Sequence, residues 1–267
     1  MARLRWVKTL EQVKQSREAN PEFLESTVRS IRVVYETHPA LAAAVIPKPL
    51  EACERPEVCV TFSQVAMHVS PELSIEIGSA IFGVRARYDG SEGIYLLTMP
   101  MTTEQAVVPG RETYGEPKKI ADIRFEKEGD RLASVVTRLG IPYLEVRGTL
   151  GASLPPRKFE EYGFCIKALP SCEKERDLDG DPLLVRLSWR HDHRQVNAVE
   201  GELILRESPF DPVADLPVQR LVRMEYEEGS SESNGRVLRS IPGDWLLPFL
   251  HQRYNDPQNP GIEVATP

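Results

Sequence analysis

Residues 73–99 read LSIEIGSAIFGVRARYDGSEGIYLLTM. Apolar and polar side chains alternate from Leu73 to Tyr88 and again from Gly93 to Met99. That is the period of a half-buried β-strand, not of a helix. Tyr88-Asp89-Gly90 between them is a turn signal. The alternation recurs at Arg32–Tyr35, Val58–Val69, Tyr143–Leu150, Leu183–Trp189 and Val199–Leu205. Helical patterns are confined to residues 11–20, His38–Val45, Thr102–Val108 and Trp245–Tyr254, with Thr102 and Thr103 as capping candidates for the third. Residues 170–182 and 227–238 (EEGSSESNGRVL) read as loops. Long strands, few helices and no βαβ rhythm predict a mostly β (α+β) fold: an antiparallel β-barrel or cone-like sheet with a few short flanking helices. No composition break divides the 267 residues, so 1–267 reads as a single domain.

The net charge of −7 and the lack of a basic stripe argue against nucleic acid as a partner. No apolar run has the length of a membrane span, and the cations of MARLRWVK are not followed by the apolar stretch of a secretion signal. The four cysteines, Cys53, Cys59, Cys165 and Cys172, form no CxxC pair and read as reduced thiols of a cytoplasmic protein. His191 and His193 share a strand face, but no third ligand accompanies them, so they are expected on a surface hairpin and no metal site is expected.

The stretch most suggestive of chemistry is GRETYGEPKK, Gly110–Lys119. Pro117 fixes its own φ and biases Glu116 toward an extended shape, so Lys118 and Lys119 occupy the first two positions of a strand and point to opposite faces. A lysine directed into an apolar cavity loses hydration, which disfavours its ammonium form, and a second cation close by lowers its pKa further. A neutral amine near pH 7 attacks ketones and forms an imine, and a protonated imine accepts the electron pair of a bond breaking two atoms away. The pattern thus specifies a mechanism class rather than a substrate. The bland alternatives are two solvated surface cations, a barrel that binds a small apolar or acidic ligand without turnover, or an assembly subunit with Lys118 exposed.

GIYLLTMPMTTEQAVVPGRETYGEPKK, together with ALAAAVIPKPLE, VAMH, EIGSAIFG and FDPVADLPVQRLV, resembles the acetoacetate decarboxylase-like superfamily across nearly the whole chain. That superfamily is itself the standing example of lysine activation by this scheme. The resemblance implies Lys118 as the imine-forming residue, Lys119 as the neighbour that lowers its pKa, and Glu76 as an active-site carboxylate. Arg29, Ser63, Tyr114 and Glu116 are the candidate substrate-binding residues. Arg111 and Glu112 are expected to be structural, pairing with each other or with a neighbouring strand. Two departures bear on the reaction. Ser63 stands near the place of a second family glutamate, and neither Arg29 nor Arg32 falls in register with the family arginine that holds the substrate carboxylate. These departures tilt the expectation toward a pyruvate-type aldolase–dehydratase, with 3-oxo acid decarboxylation as the alternative. The resemblance further implies a small oxo-acid substrate, a homo-oligomer, and no cofactor, because the lysine itself is the electron sink.

Overall fold

The computed structural model describes residues 3–20, 22–70 and 73–266. Twelve strands among these residues form one sheet: β1 (Leu24–Glu36), β2 (Glu51–Ala52), β3 (Glu57–Ser70), β4 (Leu73–Tyr88), β5 (Ser91–Met101), β6 (Lys118–Ile120), β7 (Asp122–Glu128), β8 (Arg131–Arg138), β9 (Ile141–Leu154), β10 (Arg157–Lys167), β11 (Leu183–Leu205) and β12 (Arg220–Ser240). Neighbouring strands run β10-β5-β4-β3-β1-β12-β11, and a further β10–β11 pairing joins the two ends into a ring. The ring is antiparallel except where β5 runs beside β10 and beside β6, both parallel. The far half of β11 leaves the ring to pair with β9, and β8 and β7 follow outward.

The helices are short. α1 (Leu10–Ala19) has a capping box in which the Thr9 side chain and Gln12 satisfy each other's backbone N–H groups. α2 (Pro39–Ala44) is capped by His38 Nδ1, which accepts from the Ala40 N–H. α3 (Glu104–Pro109) starts at Thr103, but no side chain caps it; Thr102 Oγ1 instead accepts from the Gly78 N–H at 2.9 Å. The helix expected at Trp245–Tyr254 is a pair of 3₁₀ turns, Gly243–Trp245 and Leu247–Arg253.

Two apolar clusters lie on the two faces of the ring. The outer one contains Ile31, Val33, Tyr35, Phe62, Phe82, Tyr143 and Tyr226 and lies beneath the β8–β9 hairpin. The inner one contains Val34, Cys59, Ile77, Leu96, Met99, Cys165 and Leu187. The inner face is identified by contacts that cross the ring. Arg32 on β1 binds Glu161 on β10 at 2.7 Å, although these strands are not neighbours.

Two expectations need correction. Residues 227–238 are not a loop. They lie in β12, paired with β1 on one side and β11 on the other. Their small polar side chains fit because Glu227 and Ser231 face a polar part of the interior and are buried there. His191 and His193 do share a strand face, but it is the interior rather than a surface hairpin. His193 is fully buried with Nδ1 3.3 Å from Glu227, and the two imidazoles flank Phe159. Among the described residues no group of three or more His, Cys, Asp or Glu is arranged to hold a metal.

Burial, and then the nearby Arg32 guanidinium, push His191 down to about 4. The neutral ring is therefore favoured in the fold, while the unfolded chain takes up a proton below about 6.5. Stability from this group is complete above about pH 6.5 and is lost as pH falls toward 4, by up to about 3 kcal/mol. Thermal melts of His191→Phe should lose this part of the acid dependence between pH 7 and 4. Parallel curves for the two proteins would refute the assignment.

Candidate active site

The Gly110–Tyr114 segment after α3 is a single π turn. It ends at Gly115, whose φ of 73° suits glycine and whose absent side chain lets the chain pass against the backbone of Lys167. The chain then enters β6 in register with β5, Lys118 opposite Met99 and Lys119 opposite Pro100. Arg111 Nη1 donates to the Lys118 carbonyl at 2.9 Å, which ties the π turn to the strand it delivers. Gly110 leaves room for the site, because a Cβ there would fall on the Glu116 carboxylate and within 2.6 Å of the Lys118 side chain.

Lys118 Nζ lies 2.8 Å from Glu116 Oε2, and the two side chains are only 14% and 8% exposed. Buried Cys165 is close by: desolvation pushes its thiol well up, the Glu116 charge adds to that, and Arg253 and Lys118 oppose it. Tyr114 packs against the inner cluster, its ring where a side chain at 235 would be and next to Leu187. Burial, and secondarily Glu116, push the Tyr114 hydroxyl up. Lys118 and Glu116 therefore form a paired amine and carboxylate in largely desolvated surroundings.

Lys119 points through the wall to the other face. Its Nζ lies 2.9 Å from Asp211 Oδ1 and 3.1 Å from the Phe210 carbonyl, while Arg138 Nε holds Asp211 Oδ2 at 2.5 Å. Burial lowers the Lys119 pKa, and Asp211 opposes that shift. Lys119 was expected as the neighbour that presses its charge on Lys118; the partner its ammonium engages is Asp211. Strand alternation separates the two ammonium groups, and Asp211 engages the second.

The two-residue period also relocates other candidates. Glu76 is exposed, on the face opposite Ile77 and Ser79, so it does not join Lys118. Arg29 shares the face of Ile31 and Val33 and is exposed, so it is not an interior carboxylate clamp. Ser63 does face inward, buried, with its hydroxyl 2.8 Å from Ser30. It stands between Ser30 and Ser79 in the strand pairing, which makes a row of three hydroxyls. Arg111 binds the neighbouring strand as expected, and Glu112 is exposed. Sequence reasoning passed over Ser30, Ser79, Cys165 and the interior role of Arg32. Their only signal was spacing by even numbers of residues from other inward positions.

A family profile described as "Acetoacetate decarboxylase (ADC)" matches residues 10–240. Acetoacetate decarboxylase of Ralstonia nicotianae is 27% identical over 214 residues, spanning 73% of this chain and 78% of the relative. That of Acidiphilium cryptum is 28% identical over 210 residues, spanning 73% and 79%. Among solved structures, acetoacetate decarboxylase from Legionella pneumophila superposes with a TM-score of 0.70 at 17% identity, covering 90% of this chain and 99% of that one. The enduracididine biosynthesis enzyme MppR complexed with pyruvate gives 0.68 at 15% identity, covering 82% and 91%.

The geometry separates the lysines experimentally. Lys119→Met should cost on the order of 3 kcal/mol of stability, because Asp211 keeps Arg138 but loses its second cation. The same variant should leave the reactivity of Lys118 toward a small ketone within about threefold of the parent. Reactivity falling by orders of magnitude in a folded Lys119→Met protein would restore the direct electrostatic role.

Proposed function

The chain belongs to the acetoacetate decarboxylase family, and on that premise we propose that it is a lyase that binds small oxo acids as an imine on Lys118. The observation that carries this reading is the Lys118–Glu116 pair at 2.8 Å beside the inner apolar cluster. Glu116 accepts a proton from Lys118, and the free amine adds to the substrate ketone. Glu116 then returns its proton to the departing hydroxyl, so loss of water leaves a protonated imine and a Glu116 carboxylate, and the imine draws electrons from the adjacent carbon. With a pyruvate-type acid, Glu116 removes a proton from the methyl carbon to give an enamine. The enamine adds to an aldehyde, whose oxygen takes up a proton. A second proton loss and departure of water complete dehydration, and hydrolysis frees the lysine.

We favour this aldol–dehydration course. The arginine that faces the interior, Arg32, donates to both carboxylate oxygens of Glu161 and also lies 3.4 Å from Glu227. It is thus engaged by protein carboxylates rather than left to hold a substrate carboxylate over the imine for C–C cleavage. The serine row offers neutral hydrogen bonds instead. The names of the curated relatives favour a second reading, 3-oxo acid decarboxylation. There the C–CO₂⁻ bond breaks into the imine, CO₂ leaves, and a proton taken up from water and relayed by Glu116 is added to the enamine carbon.

Borohydride reduction in the presence of pyruvate or acetoacetate, followed by peptide mass spectrometry, tests the proposal. An adduct on Lys118 that is absent from Lys118→Ala is expected, with pyruvate trapping more readily and without CO₂ release. CO₂ from acetoacetate would select the decarboxylase reading, and no adduct across a panel of oxo acids would leave a binding barrel. Glu116→Gln should slow imine formation by about 10²-fold or more, since it keeps the hydrogen bond but loses the proton acceptor. An undiminished rate would remove Glu116 from the mechanism.

A further inference from the structure

The ring interior also opens at the end away from Lys118. β10 carries Arg157 and Phe159 at its start, while Cys165, near Lys118, lies eight residues on, roughly 26 Å at about 3.3 Å per residue. Between the two ends the Trp189 ring covers Gly163, where a Cβ would come within 2.5 Å of it. The far end is a concave pocket of about 340 Å³. Four guanidinium groups line it, from Arg32, Arg85, Arg157 and Arg223.

These four are not equally committed. Arg32 grips Glu161 through two hydrogen bonds. Arg157 spends Nη2 on Glu225 and Glu227 and Nη1 on Glu225 at 3.5 Å, and its buried Nε has no protein partner. Arg85 makes only a 3.4 Å ion contact from Nε to Glu57, and Arg223 only a 3.8 Å contact from Nε to Glu225. Among the described residues neither donates a hydrogen bond, so the outer nitrogens of both forks are unspent. The acidic side chains of the lining are Glu92, Glu160 and Glu161. Glu161 is satisfied by Arg32, and Glu160 accepts from the Tyr162 hydroxyl at 3.0 Å. Phe159 fixes the rear of the pocket, with Arg32 and Arg157 over its ring at 5.6 and 5.4 Å. Glu92 is exposed, and Glu57, Glu225 and Glu227 stand on the same arginines, so what the mouth offers an anion is the unspent forks of Arg85 and Arg223 rather than a net positive charge.

We propose that this mouth binds a small oxyanion, a carboxylate or phosphate group held by Arg85, Arg157 and Arg223, at a site separate from Lys118. The proposal stands independently of the imine reading. Calorimetric titration of the full chain with malonate and with inorganic phosphate tests it, because neither anion has a ketone to react with an amine. The expected result is one-to-one saturable heat from at least one of them, and which one responds identifies the group. Binding should weaken at least about tenfold in Arg223→Ala and in Arg85→Gln and stay unchanged in Lys118→Ala. Arg223 is exposed, so its substitution should leave the thermal midpoint unmoved. Absence of saturable heat with both anions at millimolar concentration overturns the proposal. So does binding that survives both arginine substitutions, or binding that disappears in Lys118→Ala.

Discussion

Consecutive residues of a β-strand face opposite ways, and closure of the sheet makes those two directions two different environments. Each ring strand divides a confined interior from an outer core packed beneath the β8–β9 hairpin. The chemistry of the molecule follows from that division. Lys118 and Lys119 are adjacent in sequence, yet one meets Glu116 and the other Asp211. Arg32 and Val33 are divided in the same way, one into an ionic layer and the other into the outer apolar cluster. Closure of the wall is what removes the Lys118–Glu116 pair from water.

The interior is apolar near Lys118 and ionic toward the opposite mouth. Removing charges from water is costly, and the layer formed by Arg32, Glu161, Glu227, Arg157 and Glu225 offsets that cost by mutual pairing. A one-residue slip of β1 would carry Arg32 into the outer core and leave Glu161 without its cation. The layer thus opposes misregistered closure, which a purely apolar interior would tolerate better.

The barrel architecture was legible because long strands with a strict period dominate the sequence, and Leu73–Tyr88 followed by Ser91–Met101 forms the hairpin that their pattern implies. The opposed directions of the two lysines were legible for the same reason. What was hidden needed register or distance in sequence. Glu76 and Ser79 differ in face by parity alone, and composition gives no hint of which is interior. Asp211 sits 92 residues from Lys119, with no local pattern that could pair them. Residues 227–238 looked like a loop because serine, glycine and asparagine usually mark turns, whereas here small side chains admit the Tyr114 ring over Gly235.

The parallel contact between β5 and β10 joins Ile94 to Gly163 across a long stretch of chain that includes β6 to β9. A contact this distant in sequence carries the loop-closure entropy of everything between its two sides. The surroundings of Lys118 are built from both sides of that seam, from Met99 on β5 and Cys165 on β10. A nascent or partly folded chain therefore carries Lys118 as an ordinary hydrated amine. The enclosure around the Lys118–Glu116 pair thus exists only once the ring is closed.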